Sequence, residues 1–282
     1  MATIKESVKA FFDAADQTAL VEVARAKGST PREAGATMLV SRSAIHGTIG
    51  GGQLEFMAID QARQILADPK GPHELMLDIP LGPEIGQCCG GRVEVLIRLM
   101  NDELKAELLR NAEAEDARLP HIYIFGGGHV GHALASSLSL LPVKVTVVET
   151  RGEALEDMPP GVETKLTSVP EEMVRSAPAG AAFVVLTHDH ALDFMIVAEA
   201  LKRNDAAYVG MIGSKTKKAT FRSWYLKTAS GTEDDCQRLV SPIGGDAVKD
   251  KRPAVIAALA AAEIMTALAA YSNAASDKAV AG

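Results

Sequence analysis

The sequence has few cysteines, no block of one charge sign and no long apolar run, and each shortage removes a class of protein. Three cysteines, two of them adjacent at Cys88 and Cys89, cannot build a disulfide framework, so in a reducing compartment the thiols stay free. Lys and Arg number 29 against 36 Asp and Glu, a formal net charge of -7. With no basic run of the kind that tracks a phosphate backbone, nucleic acid is not an expected partner. No uninterrupted apolar run reaches about 18 residues, the length of a membrane span. The opening Met-Ala-Thr-Ile-Lys-Glu leads into an amphipathic stretch with Glu6 and Asp13, not into a charged head followed by an apolar core. Neither a membrane nor secretion is indicated, and the expected location is cytoplasmic.

What is present describes a folded chain. Hydrophobic residues make up 47% and charged residues 23% of 282 residues, a balance far from disorder, and the length favours two domains. From residue 1 to 100 the pattern is that of a small α+β domain. Val93, Val95, Ile97 and Leu99 alternate with Arg92, Glu94 and Arg98, a period of two that makes 92–99 a half-buried strand. Residues 20–26, 37–40 and 74–79 read similarly, and 54–65 fits a helix starting after Gly50, Gly51 and Gly52. The charge-rich, helix-prone segment 101–119 is expected to be a helical linker closed by Pro120.

Beyond it, over 120–282, the apolar runs become continuous and alternate with helical segments. Runs at 121–125, 143–148, 182–186 and 207–211 are those of strands buried on both faces, which predicts a Rossmann-like parallel sheet with helices on each side. Pro253 can start a last helix, and 254–269 is apolar almost all round, so that helix needs burial, against a second subunit of a homodimer for example.

Gly126, Gly128 and Gly131 stand as Gly-x-Gly-x-x-Gly between the run 122–125 and a helical stretch. In that context the first glycine permits a tight turn, the second lets a phosphate approach the backbone, and the third lets helix pack on strand. The free N–H groups of the helix start favour an anion. Glu149 lies 23 residues beyond Gly126 at the end of the next strand, near the spacing at which an acid meets a ribose hydroxyl and repels a 2′-phosphate. His129 and His132 fall in the first turn of the helix, lining the ligand or serving structure.

After the third strong run come Thr187, His188, Asp189 and His190, where ligands bind in such sheets. Asp189 with a histidine could do acid/base work, His188 and His190 could share a metal, or Asp189 could cap the next helix. By themselves these residues leave open an NAD-linked oxidoreductase or a dinucleotide-sensing regulatory protein. In the loop 81–91, Cys88 and Cys89 point in different directions, which disfavours a spaced zinc pair and strains a local disulfide. Nearby glycine N–H groups favour a thiolate, a soft ligand for a soft metal or a carrier of sulfur, and the plain alternative is a small buried apolar residue. Cys236 reads as incidental.

Several stretches together resemble the XdhC family. In the first half they are Gly28-Ser29-Thr30-Pro31-Arg32, Gly35-Ala36-Thr37-Met38, Gly47 to Gly52 with Glu55, and Gly86-Gln87-Cys88-Cys89-Gly90-Gly91. In the second they are Ile124 to Gly131, Thr187 to His190 with Asp193, Tyr208 to Lys215, and Ser241-Pro242-Ile243-Gly244. The resemblance implies an accessory factor of purine catabolism, a chaperone that receives molybdenum cofactor (a molybdopterin). It would hold the cofactor while a cysteine desulfurase partner supplies sulfur for one oxo ligand, then insert it into xanthine dehydrogenase. Carried over by motif, Gln87, Cys88, Cys89, Gly126, Gly128, His129 and Gly131 are the expected ligand residues, with Glu149 and Asp189 behind them. Cys88 is the expected contact to the metal end. The chain departs from the family where the last helix usually follows Thr-Pro and acidic residues and here reads Lys251-Arg252-Pro253, without that polar cap.

Overall fold

The computed structural model describes residues 3–68, 70–82 and 90–281. The chain divides into two compact units, Ala2–Ala117 and Arg118–Gly282.

The first unit is built on an antiparallel sheet of β1 (Thr18–Lys27), β2 (Thr37–Ser41), β3 (Ile45–Gly47), β4 (Glu74–Pro80) and β5 (Arg92–Leu99) in the order β3-β2-β1-β5-β4. The alternation along β5 sends Val93, Val95 and Ile97 to one face, where they meet Leu54, Ala58, Ala62 and Ile65 of α2 (Gly52–Ala67). The opposite face at β1 and β2 offers Leu20 and Leu39 to Phe12 of α1 (Ile4–Asp13) and Leu104 of α3 (Asp102–Arg118). Residues 102–117, within the segment 101–119 expected to be a helical linker, pack within this unit. Asp116 near the end of α3 accepts from the Ile4 and Lys5 amides at 2.9 and 3.0 Å, satisfying donors that a helix start leaves free. Thr3 and Glu6 complete the cap as a reciprocal box.

The second unit carries a six-stranded parallel sheet, the architecture that its continuous apolar runs predict. Its strands are β6 (His121–Phe125), β7 (Lys144–Glu149), β8 (Glu163–Leu166), β9 (Ala182–Val185), β10 (Tyr208–Met211) and β11 (Leu239–Val240), ordered β11-β10-β9-β6-β7-β8. Alternate residues of each run serve opposite faces. Phe125, Phe183, Val185 and Met211 meet α5 (Glu171–Ser176), α6 (His190–Leu201), α7 (Lys215–Thr228) and α8 (Glu233–Arg238). Ile122, Ile124, Val145, Val147 and Val184 meet α4 (His129–Leu138) and α9 (Pro253–Ala281). By length and composition α9 could cross a membrane. Ala257, Ala260, Ala261, Ile264 and Leu268 nevertheless lie in the core shared with α4. Because β6 is central and the chain runs outward first to β7 and β8, then returns to β9, the order reverses between β6 and β9. Ligands bind at such a reversal, beyond the carboxyl ends of the strands.

Candidate functional site

The turn from β6 into α4 lies at that reversal. Gly126 has φ +115, a conformation strained for other residues, and an added Cβ there would run into the Leu186 carbonyl at the end of β9. The neighbouring strands hold it: its amide donates to Val148 at 2.9 Å, and Leu186 donates to Phe125 at 2.9 Å. A side chain at Gly131 would collide with the Gly126 carbonyl, and one at Gly127 with the Ala154 carbonyl of the 3₁₀ turn Gly152–Leu155. Gly128 differs. It is exposed, a Cβ there would meet nothing within 4 Å, and it precedes α4 without a capping side chain. The first-turn amides beyond it have no intrahelical acceptor, so the turn is open to an anion where the structure leaves room for one.

Glu149 ends β7 beside this turn and is almost fully buried. Its Oε2 accepts from the Gly127 amide at 3.0 Å and lies 3.6 Å from the Arg151 guanidinium. Its Oε1 accepts from the amides of Thr150 at 2.8 Å and Arg151 at 3.3 Å. Burial raises the carboxyl pKa, but the Gly127 and Thr150 amides and Arg151 overcome it, and the net effect is a lowered value. As found, Glu149 organises the glycine turn. His129 is exposed at the start of α4, whereas His132 Nε2 lies 2.7 Å from the Asp157 carbonyl and ties α4 to the segment after the 3₁₀ turn.

The segment after β9 flanks the reversal from the other side. Asp189 caps α6, its Oδ1 accepting from Ala191 at 2.7 Å and Leu192 at 3.3 Å. Those amides, with smaller contributions from His188 and His190, hold its carboxyl below the usual range. His188 and His190 are exposed. Among the described residues no three His, Cys, Asp or Glu side chains are grouped to hold a metal. Asp193 is the buried acid of this region: its Oδ1 accepts from Thr187 N at 2.9 Å and Thr187 Oγ1 at 2.7 Å, and its Oδ2 pairs with Lys217 of α7. The Lys217 stem folds over Gly213, so one carboxylate links the segments following β9 and β10. Asp193 belongs to a motif visible in the sequence, whereas Lys217 lies two residues beyond the nearest one, Tyr208 to Lys215. Its only signal is a lysine in a helix's first turn, where the dipole disfavours a cation unless a carboxylate compensates it.

Gln87, Cys88 and Cys89 lie outside the described residues. The residues on either side of them are described: Leu81 N donates to Gly91 O and Gly90 N to Leu81 O, both at 2.8 Å, closing the β4–β5 hairpin. An added Cβ at Gly28 would lie 3.3 Å from Gly91 Cα, and one at Gly50 would lie 2.7 Å from Pro31 Cβ. Three glycine-bearing stretches of the first unit thus meet at one end of its sheet. Glu55 accepts from Ile49 and Gly51, both at 3.1 Å, and from the Thr48 hydroxyl, so its part in the motif is to hold the turn before α2.

Two family models match the chain: the XdhC Rossmann domain over residues 122–264, and the XdhC and CoxI family over residues 12–77. The uncharacterized protein YqeB of Escherichia coli (strain K12) is 27% identical over 261 residues, which are 88% of this chain and 43% of that relative. The chain thus spans less than half of that relative's length. A crystal structure of a xanthine dehydrogenase from Bacillus halodurans superimposes with a TM-score of 0.78, covering 95% of this chain and 96% of that one at 16% identity. At that identity the likeness concerns the fold.

Proposed function

The chain belongs to the XdhC family, and on that premise we propose that it is a maturation factor for xanthine dehydrogenase that carries molybdenum cofactor as cargo. The cofactor is held while a cysteine desulfurase supplies the sulfur that replaces one oxo ligand, and is then inserted into the enzyme in the cytoplasm. The observation that carries this reading is the turn at Gly128: its neighbours Gly126, Gly127 and Gly131 are held by close contacts, while Gly128 alone opens to solvent beside an unsatisfied helix start. A terminal phosphate fits there, held by main-chain amides and flanked by His129.

Gln87, Cys88 and Cys89 are assigned to the soft dithiolene end of the cargo, with Cys88 as the thiolate that meets the metal. Glu149 and Asp189 act behind the ligand, the first by orienting the Gly127 amide and the second by fixing the segment that carries His188 and His190. An NAD-linked oxidoreductase is less well supported by the same atoms. Asp189 Oδ1 is occupied by two amides and its carboxyl is held in the ionised form, a poor base near neutral pH.

The test is mass spectrometry of ligand extracted from protein purified without oxygen beside its wild-type partners. A molybdopterin near one per chain is expected, reduced in Cys88→Ala and unchanged in Cys236→Ala. Recovery of NAD in place of a pterin would overturn the reading, and equal retention by both variants would remove the thiol from it.

A further inference from the structure

The parallel sheet of the second unit ends on β8, whose four residues Glu163–Leu166 are all exposed, Leu166 to 57%. A bare edge strand is a template for another strand unless its sequence forbids pairing. Thr167 N donates to Glu149 O at 2.9 Å, so the main-chain groups of Lys165 and Thr167 face β7. By the alternation of a strand, those of Thr164 and Leu166 face outward. The side chains alternate as well, with Val162, Thr164 and Leu166 on one face of the strand and Glu163 and Lys165 on the other.

We propose that β8 is a self-complementary edge through which two copies of this chain pair antiparallel, about a two-fold axis at Thr164. In that register Thr164 stands opposite Thr164 of the second copy, and Leu166 opposite Val162. The outward groups of Thr164 and Leu166 supply main-chain hydrogen bonds without using the Val162 amide, which donates to Pro159 at 3.2 Å. Glu163 falls opposite Lys165 of the second copy, twice per dimer. These are the non-hydrogen-bonded positions, where the facing Cα atoms come within about 4.5 Å and side chains interact most closely. One face is thus apolar or hydroxylic throughout and the other joins opposite charges. A shift of one residue would set Glu163 against Leu166 and Thr164 against Lys165, losing both complementarities.

Pro159 and Pro160 precede the strand and Pro170 follows it, limiting the paired length. So short an edge buries less than the roughly 1,200 Å² of a standard interface, and the dimer is expected to be weak, with a dissociation constant of about micromolar or above. A lysine on an edge strand is also a common device for preventing pairing, and the two roles make opposite predictions.

The experiment is sedimentation equilibrium of the full chain over a concentration series, with folding checked by circular dichroism. The wild type is expected to dimerise, more weakly as salt rises, because the paired charges stay exposed. Lys165→Glu and Glu163→Lys each place two like-charge pairs in the dimer and are expected to weaken it roughly tenfold or more. The double reversal Glu163→Lys/Lys165→Glu is expected to recover it to within a few-fold, and Thr164→Pro, which removes the amide on the axis, to abolish it. A wild type monomeric throughout the series would overturn the proposal. So would a dimer indifferent to both single reversals, or a double reversal that remains as weak as either.

Discussion

Asp193 and Lys217 form an ion pair in which the carboxylate has no exposed surface and the lysine side chain is 10% exposed. The pair joins the segment after β9, through the two bonds from Thr187, to the first turn of α7. Taking the lysine away leaves a buried carboxylate without a counter-charge, which costs more than the pair itself contributes. Lys217→Met is therefore expected to lower stability by about 3–5 kcal/mol. Lys217→Met/Asp193→Asn should cost distinctly less. Urea unfolding of the three proteins at neutral pH measures both, and a single variant no weaker than the double would contradict this account.

Gly128 and Gly131 should separate ligand from fold. A valine at 128 has room and an ordinary backbone angle, φ -68, so its melting temperature should stay near the wild type while cofactor retention falls. A valine at 131 meets the Gly126 carbonyl and is expected to destabilise by about 1–3 kcal/mol or more, as overpacking does. If retention by Gly128→Val is undiminished, the turn has only a structural role.

The lowered carboxyl of Glu149 gives acid stability a sign. A folded-state value below the ordinary one, near 4.3 for glutamate, means that ionised Glu149 stabilises the fold above about pH 5. That contribution is lost as the pH falls through the folded value. Glu149→Gln should be less stable than the wild type at pH 7, with the difference shrinking as the solution is acidified. Unfolding midpoints from pH 7 to pH 3 test it, and a gap that widens in acid would reverse the assignment.

Cys236 lies in the core of the second unit, and burial pushes its thiol up from the usual range. In native protein at pH 8 it should resist alkylation and become reactive on unfolding. Mass spectrometry after brief labelling reads this directly. Rapid modification of Cys236 in folded protein would show that its surroundings open.

The strands with strong apolar patterns were legible because burial leaves a mark on composition. β5 alternates because only the side chains on its α2 side are buried, while β6, β7, β9 and β10 run continuously in a sheet covered on both faces. β8 and β11 left no such mark, being an exposed four-residue edge and a two-residue strand respectively. The segment 101–119 carries the composition of a linker because its surface is charged. Only Leu104 and Ala112 of α3 are buried, too few to give an amphipathic signal.

In the candidate site the same division holds. The glycine spacing of the turn, and the acid 23 residues after it, are local or nearly local facts, and the sequence by itself determined that a parallel strand would turn there into a helix. Tertiary structure alone decided the roles within that frame. It turned the Glu149 carboxylate toward Gly127, set Ala154 against Gly127, and joined Asp193 to Lys217 across 24 residues of chain. Spacing constrains which main-chain path is possible, whereas the partner of a buried charge is set by which helices and strands are brought side by side. That neighbourhood exists only after the sheet has assembled.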